Sequence, residues 1–110
     1  MIRVTVSRDS GTDTCTGIEL EGHAGFGDYG QDVICAAVSA LALNMANSVE
    51  TFTSDRFEGG SEEETGHFWF RFTGQISSES RLLMNSLVLG IRNIQREYGN
   101  QYIHIRVKEV

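Results

Sequence analysis

The chain contains no proline, one lysine (Lys108) and two cysteines, Cys15 and Cys35. Without proline, glycine is the only strong backbone punctuation left. Two cysteines cannot build a disulfide framework, and neither belongs to a CxxC pair. His23, His67 and His104 are far apart in sequence, so no zinc-ligand spacing is present and neither a metal nor a cofactor is expected. Nine Lys and Arg against 15 Asp and Glu leave a net charge of −6. That balance excludes the clustered basic surface of a nucleic-acid binder and suits a basic protein partner. No apolar run reaches the roughly 18 residues of a membrane span. Met1-Ile2-Arg3-Val4-Thr5-Val6 alternates instead of forming a signal-peptide core. A cytoplasmic protein with no membrane contact is the expectation.

The 110 residues suit one domain, 1–110, with a single core. Residues 1–7 alternate, with Ile2, Val4 and Val6 on one side, and predict a half-buried strand. A turn rich in Asp, Ser and Gly leads to a second strand over 14–22, with Ile18 and Leu20 inward and Glu19 and Glu21 outward. A glycine-dense loop follows. Asp32 is placed to N-cap a helix over 33–49, whose sequence is apolar almost all round and predicts burial on most sides. A weak edge strand over 56–61 precedes a strong one over 66–73, with Phe68, Phe70 and Phe72 on one face. Ser77 to Ser80 carry N-cap chemistry for a second helix to about residue 98, and 101–110 alternate again. The order ββα(β)βαβ predicts an α/β two-layer sandwich, a mostly antiparallel sheet with two helices on one face.

The chemistry concentrates where the loop meets the first helix. With Asp32 as N-cap, Cys35 falls in the first turn, where the helix dipole favours a thiolate and unpaired amides could hold an oxyanion. His23, twelve residues earlier, ends the preceding strand, and the loop between is long enough to bring it back as base. Strand alternation alone would leave His23 on the polar face with Glu19 and Glu21, so Gly22 has to reorient it. Ser39, one helical turn after Cys35, could support the thiol or the oxyanion, and Asp32 could orient His23 as a third group or act as a cap. Within the loop, Gly22, Ala24, Gly25, Phe26, Gly27, Tyr29 and Gly30 are candidates to bind substrate. Phe26 and Tyr29 either pack on the protein's own core or hold substrate aromatics. Residues 24–31 are expected to open and close around the site. Cys15, on a strand with no basic neighbour, reads as structural.

Gly22-His23-Ala24-Gly25, followed by Tyr29-Gly30-Gln31-Asp32-Val33-Ile34-Cys35-Ala36-Ala37-Val38-Ser39-Ala40, resembles the signature of the ribosomal-processing cysteine proteases called Prp. The resemblance continues through the acidic stretch, the central strand and Leu87-Val88-Leu89-Gly90-Ile91. It implies a homodimeric endopeptidase that removes a short N-terminal extension from a large-subunit ribosomal protein, the twenty-seventh, after aromatic residues. The family's catalytic His and Cys would fall on His23 and Cys35, and its neighbouring Asp and Ser on Asp32 and Ser39. The competing expectations are a non-catalytic ribosome-assembly or protein-binding module of the same fold, and a redox sensor built on Cys35.

Overall fold

The computed structural model describes residues 1–27 and 32–110. Its elements are β1 (Ile2–Arg8), β2 (Cys15–Glu21), α1 (Val33–Phe52), β3 (Phe57–Glu62), β4 (His67–Phe72), α2 (Ser78–Tyr98) and β5 (Ile103–Glu109). They build one five-stranded sheet in the order β3-β4-β2-β1-β5. The β1–β5 pair is parallel and the other three pairs are antiparallel, as a mostly antiparallel α/β sandwich requires.

Register follows from the alternation. Val4 stands opposite Leu20 and Val6 opposite Ile18, while Ile18 faces Phe70 across the next ladder. All of these side chains are buried on one face. Ile34, Val38, Ala42, Met45 and Val49 of α1 and Met84, Leu87, Val88 and Ile91 of α2 complete the same core. Each large aliphatic side chain removed from water there contributes about 1.5–3 kcal/mol. The outer face keeps Glu19 beside Trp69 and Glu58 beside Arg71.

The helix ends are set by local chemistry. Asp32, at φ −79° and ψ 100°, caps α1, and the Ser77 hydroxyl accepts from the Ser80 amide to cap α2. Asp55 braces that second cap, accepting from the Ser77 amide at 2.9 Å and its hydroxyl at 2.6 Å.

Two expectations change. α1 runs three residues beyond 49, to Phe52, and it is not buried on most sides. Only the stripe Ile34, Val38, Ala42, Met45 and Val49 is enclosed. Val33, Ala36, Ala37, Ala40 and Leu43 face outward, because a helix laid on one sheet and one neighbouring helix leaves part of its circumference uncovered. With its polar residues interspersed, the helix is nevertheless long and apolar enough by composition to cross a membrane, which no uninterrupted apolar run indicates. Its inner stripe is bound into the core of the sandwich.

Candidate active site

β2 ends at Glu21, and Gly22 turns the chain with φ +89°, a left-handed value that a side chain disfavours. A Cβ at Gly22 would lie 2.6 Å from the Met1 carbonyl oxygen, so close packing reinforces the choice of glycine. The turn takes His23 off the outer face and brings its ring to the start of α1. There Nδ1 lies 3.9 Å from the Cys35 sulfur. On the other side of the ring, Nε2 is 2.8 Å from the Glu64 carbonyl oxygen. A carbonyl only accepts, so Nε2 carries the proton and Nδ1 presents its lone pair to the thiol.

Asp32 is buried, and both of its oxygens are engaged by the main chain. Oδ1 accepts from the amides of Ile34 (3.1 Å) and Cys35 (3.0 Å). Oδ2 accepts from Gly25 (3.1 Å) and Phe26 (3.2 Å). The one carboxylate therefore caps the helix and pins the loop that follows His23. Burial alone would raise its pKa, but the amide donors of Cys35, Phe26 and Ile34 outweigh that and hold it below the ordinary carboxyl range.

These bonds overturn two expectations. The amides of Ile34 and Cys35 bind Asp32 Oδ1, and that of Ala36 binds the Asp32 carbonyl at 3.0 Å, so these three are not free oxyanion donors. The Cys35 thiol is pushed up, not down. Desolvation is the main cause, and the adjacent Asp32 carboxylate adds to it, while the Ala24 amide, donating to the sulfur at 3.1 Å, works in the opposite direction. An anionic cap cancels much of what the helix dipole would give a thiolate.

Ser39 is exposed, one turn below Cys35, and lines the same groove. That groove holds about 610 Å³. His23, Cys35, Gly22, Gly25 and Gly27 border it, with Leu20, Val38 and Phe68 among its apolar walls. Ala24 departs from the expected substrate loop, since its side chain is buried in the core. Phe26 packs edge-on against Tyr98 and Tyr102, with centroids 5.6 and 5.3 Å away, and so rests on the protein itself. Tyr29 and Gly30, like Asp28 and Gln31, lie outside the described residues, as does that part of the 24–31 loop. Cys15 is buried, its thiol donating to the Gly17 carbonyl at 3.4 Å and pushed up by burial.

Glu64 and Gly66 have no counterpart among the residues singled out from sequence. A carbonyl oxygen carries no residue signature, and only the sheet brings residue 64 to residue 23. On the outer face, donor atoms of Glu19, Glu21 and His67 lie within 4.8 Å of one another and could hold a metal ion. The 2.9 Å contact between His67 and Glu19 already satisfies part of that group.

The family model described as cysteine protease Prp matches residues 1–104. A ribosomal processing cysteine protease Prp from Staphylococcus aureus is 30% identical over 93 residues, covering 84% of this chain and 87% of the relative. One from Bacillus subtilis is 30% identical over 102 residues, covering 89% and 90%. The solved structure of an essential ribosomal processing protease Prp from S. aureus, in complex with a covalently linked product peptide, superposes with a TM-score of 0.90 at 29% identity, covering 98% of this chain and 100% of that one.

Proposed function

The chain belongs to the cysteine protease Prp family, and on that premise we propose that Cys35 and His23 hydrolyse a peptide bond in the short N-terminal extension of a large-subunit ribosomal protein, the twenty-seventh. The observation that carries this reading is the ring of His23, with Nδ1 toward the Cys35 sulfur and Nε2 on the Glu64 carbonyl, at the edge of a groove of about 610 Å³.

The chemistry follows from those atoms. Nδ1 takes the thiol proton as the sulfur attacks the scissile carbonyl carbon, and the carbonyl π electrons move to oxygen. The tetrahedral intermediate collapses as the imidazolium gives its proton to the departing amine, leaving a thioester on Cys35. Water then attacks the thioester, His23 accepts the water proton and returns it to the sulfur, and the acid product leaves. The 3.9 Å separation has to shorten for the first transfer, which a bound peptide favours. Because Asp32 and its own carbonyl occupy the amides of residues 34–36, the Ala24 amide, 3.1 Å from the sulfur, is the donor best placed to turn to the oxyanion. The supporting role of Asp32 is to hold the loop and helix together. That of Ser39 is a polar contact to the peptide on the groove wall.

The partner is a basic ribosomal protein, drawn by a chain of charge −6. We place the reaction in the cytoplasm, performed by residues 1–110 as one protease domain without nucleic acid, membrane, metal or cofactor. The outward apolar residues Val33 and Leu43 of α1 and Leu82 and Leu89 of α2 support a homodimer, which light scattering of the purified chain tests. For the activity, a peptide copying the extension is incubated with the protein and its masses are read. Cleavage that disappears with Cys35→Ala and falls by about 10²–10⁴-fold with His23→Ala supports the assignment. Unchanged cleavage by either variant removes that residue from the mechanism.

A further inference from the structure

The ring of His23 is met, on the side away from Cys35, by the main chain of a turn 41 residues downstream. Residues 63–66 connect β3 to β4, and their main chain meets the end of β2 through two hydrogen bonds. The Glu64 carbonyl oxygen lies 2.8 Å from Nε2. The Thr65 carbonyl accepts from the Gly22 amide at 3.3 Å, and Gly66 closes the turn by donating to the Glu63 carbonyl at 3.2 Å. Gly66 is the tightest of these contacts. Its φ is +64°, and a Cβ there would lie 2.2 Å from the Gly22 oxygen and 3.2 Å from His23 Cε1. The first of those atoms is backbone, so no side-chain rotation relieves the overlap. The approach that puts residue 64 on the imidazole is open only to glycine at 66.

We infer that the β3–β4 turn is the positioning element of the base, with Gly66 as its positioning residue and the Glu64 carbonyl as the acceptor that selects the Nε2–H tautomer. The inference rests on the proposed hydrolytic role of His23. Hydrolases commonly give this task to a carboxylate or carboxamide side chain. A peptide carbonyl does the same orienting without a titratable group, so the tautomer holds wherever the imidazole is neutral. Once His23 has taken the thiol proton, the Nε2–H bond becomes charge-assisted and steadies the imidazolium. The same turn borders the groove through Glu63 and Gly66.

The test uses the full chain with ¹⁵N-labelled histidine. In the wild type, long-range proton–nitrogen spectra should show His23, when neutral, protonated at Nε2 and bare at Nδ1. Gly66→Ala should blur that assignment and lower kcat by about 10- to 100-fold, the loss typical when the hydrogen-bond partner that orients a metal-bound histidine is removed. Its KM should stay within about twofold. Circular dichroism reports whether the variant folds. If it does not, replacing Thr65 by its α-hydroxy acid turns the Glu64 carbonyl into a weaker-accepting ester, and kcat should fall about fivefold. A wild-type His23 protonated at Nδ1 overturns the inference. So does a folded Gly66→Ala, or the ester, with wild-type kcat. The tautomer needs no substrate, so it judges the positioning of His23 even if no ribosomal extension is cleaved.

Discussion

Replacing Asp32 by asparagine exchanges a single oxygen for an NH₂ group, yet it should alter stability, loop order and thiol reactivity together. Four amides converge on this carboxylate, from Gly25 and Phe26 on one oxygen and from Ile34 and Cys35 on the other. Asparagine offers one oxygen and one NH₂. Whichever way the amide turns, one pair of backbone donors faces another donor. Hydrogen bonds to a charged group contribute about 1.5–3 kcal/mol each, and part of the loss is relieved as the loop lifts into water, so a net loss of about 2–4 kcal/mol is expected. In a domain of this size each kcal/mol lowers Tm by about 4–8 °C. The folded Asp32 carboxyl lies below its unfolded value. Its contribution is therefore fully present above the unfolded pKa near 4, and is lost as pH falls through the lower folded value. Wild type and Asp32→Asn should converge in stability in that acidic window. The Cys35 thiol should move the other way, because its pKa is raised by burial and then by this carboxylate. Removing the charge should bring thiolate formation to lower pH. Thermal unfolding across pH and the rate of Cys35 alkylation by iodoacetamide across pH measure the two effects, with Cys15→Ser as background. An Asp32→Asn protein with wild-type Tm at neutral pH and an unmoved alkylation profile would refute the double role.

Wild-type Cys35 itself should alkylate slowly at neutral pH, with the rate still rising above the ordinary thiol range, since the resting thiol keeps its proton; fast, pH-independent alkylation near neutrality would contradict this. Cys15→Ser should leave cleavage nearly unchanged, because a hydroxyl can still donate to the Gly17 carbonyl, and loss of turnover in a folded Cys15→Ser protein would move the nucleophile. Phe26→Ala should cost about 1–2 kcal/mol by removing two edge-on aromatic contacts, read by thermal unfolding, and Tyr98→Leu should reproduce part of it. Cleavage efficiency, measured as kcat/KM, should fall as ionic strength rises to physiological values. Alanine in place of the substrate's aromatic residues should cost more than that salt effect; indifference to them would exclude an apolar cleft.

Much of this fold is written in local sequence patterns. Period-two alternation places β1, β2, β4 and β5 to within two residues at each end, because each strand has one face in the core, and the weak edge strand β3 is shifted by one residue. Asp32 as N-cap and Cys35 in the first helical turn were legible for the same reason, since capping acts across three residues. Gly22 beside His23 announced a break in the strand, and its left-handed φ supplies it. What stayed hidden depends on groups distant in the chain. The sign of the Cys35 shift is set by how much water the fold removes and by a cap whose second oxygen reaches back to Gly25 and Phe26. The outward face of α1 reflects how little of a helix one sheet and one neighbour can cover, which its apolar composition could not reveal. The acceptor on His23 is a main-chain oxygen, identical at every position in the sequence, and only the β2–β4 ladder brings residue 64 within 2.8 Å of the ring. Sequence determined which residues could react; the tertiary structure decided which backbone atoms aim and restrain them, because hydrogen-bond geometry is a property of distance and not of residue type.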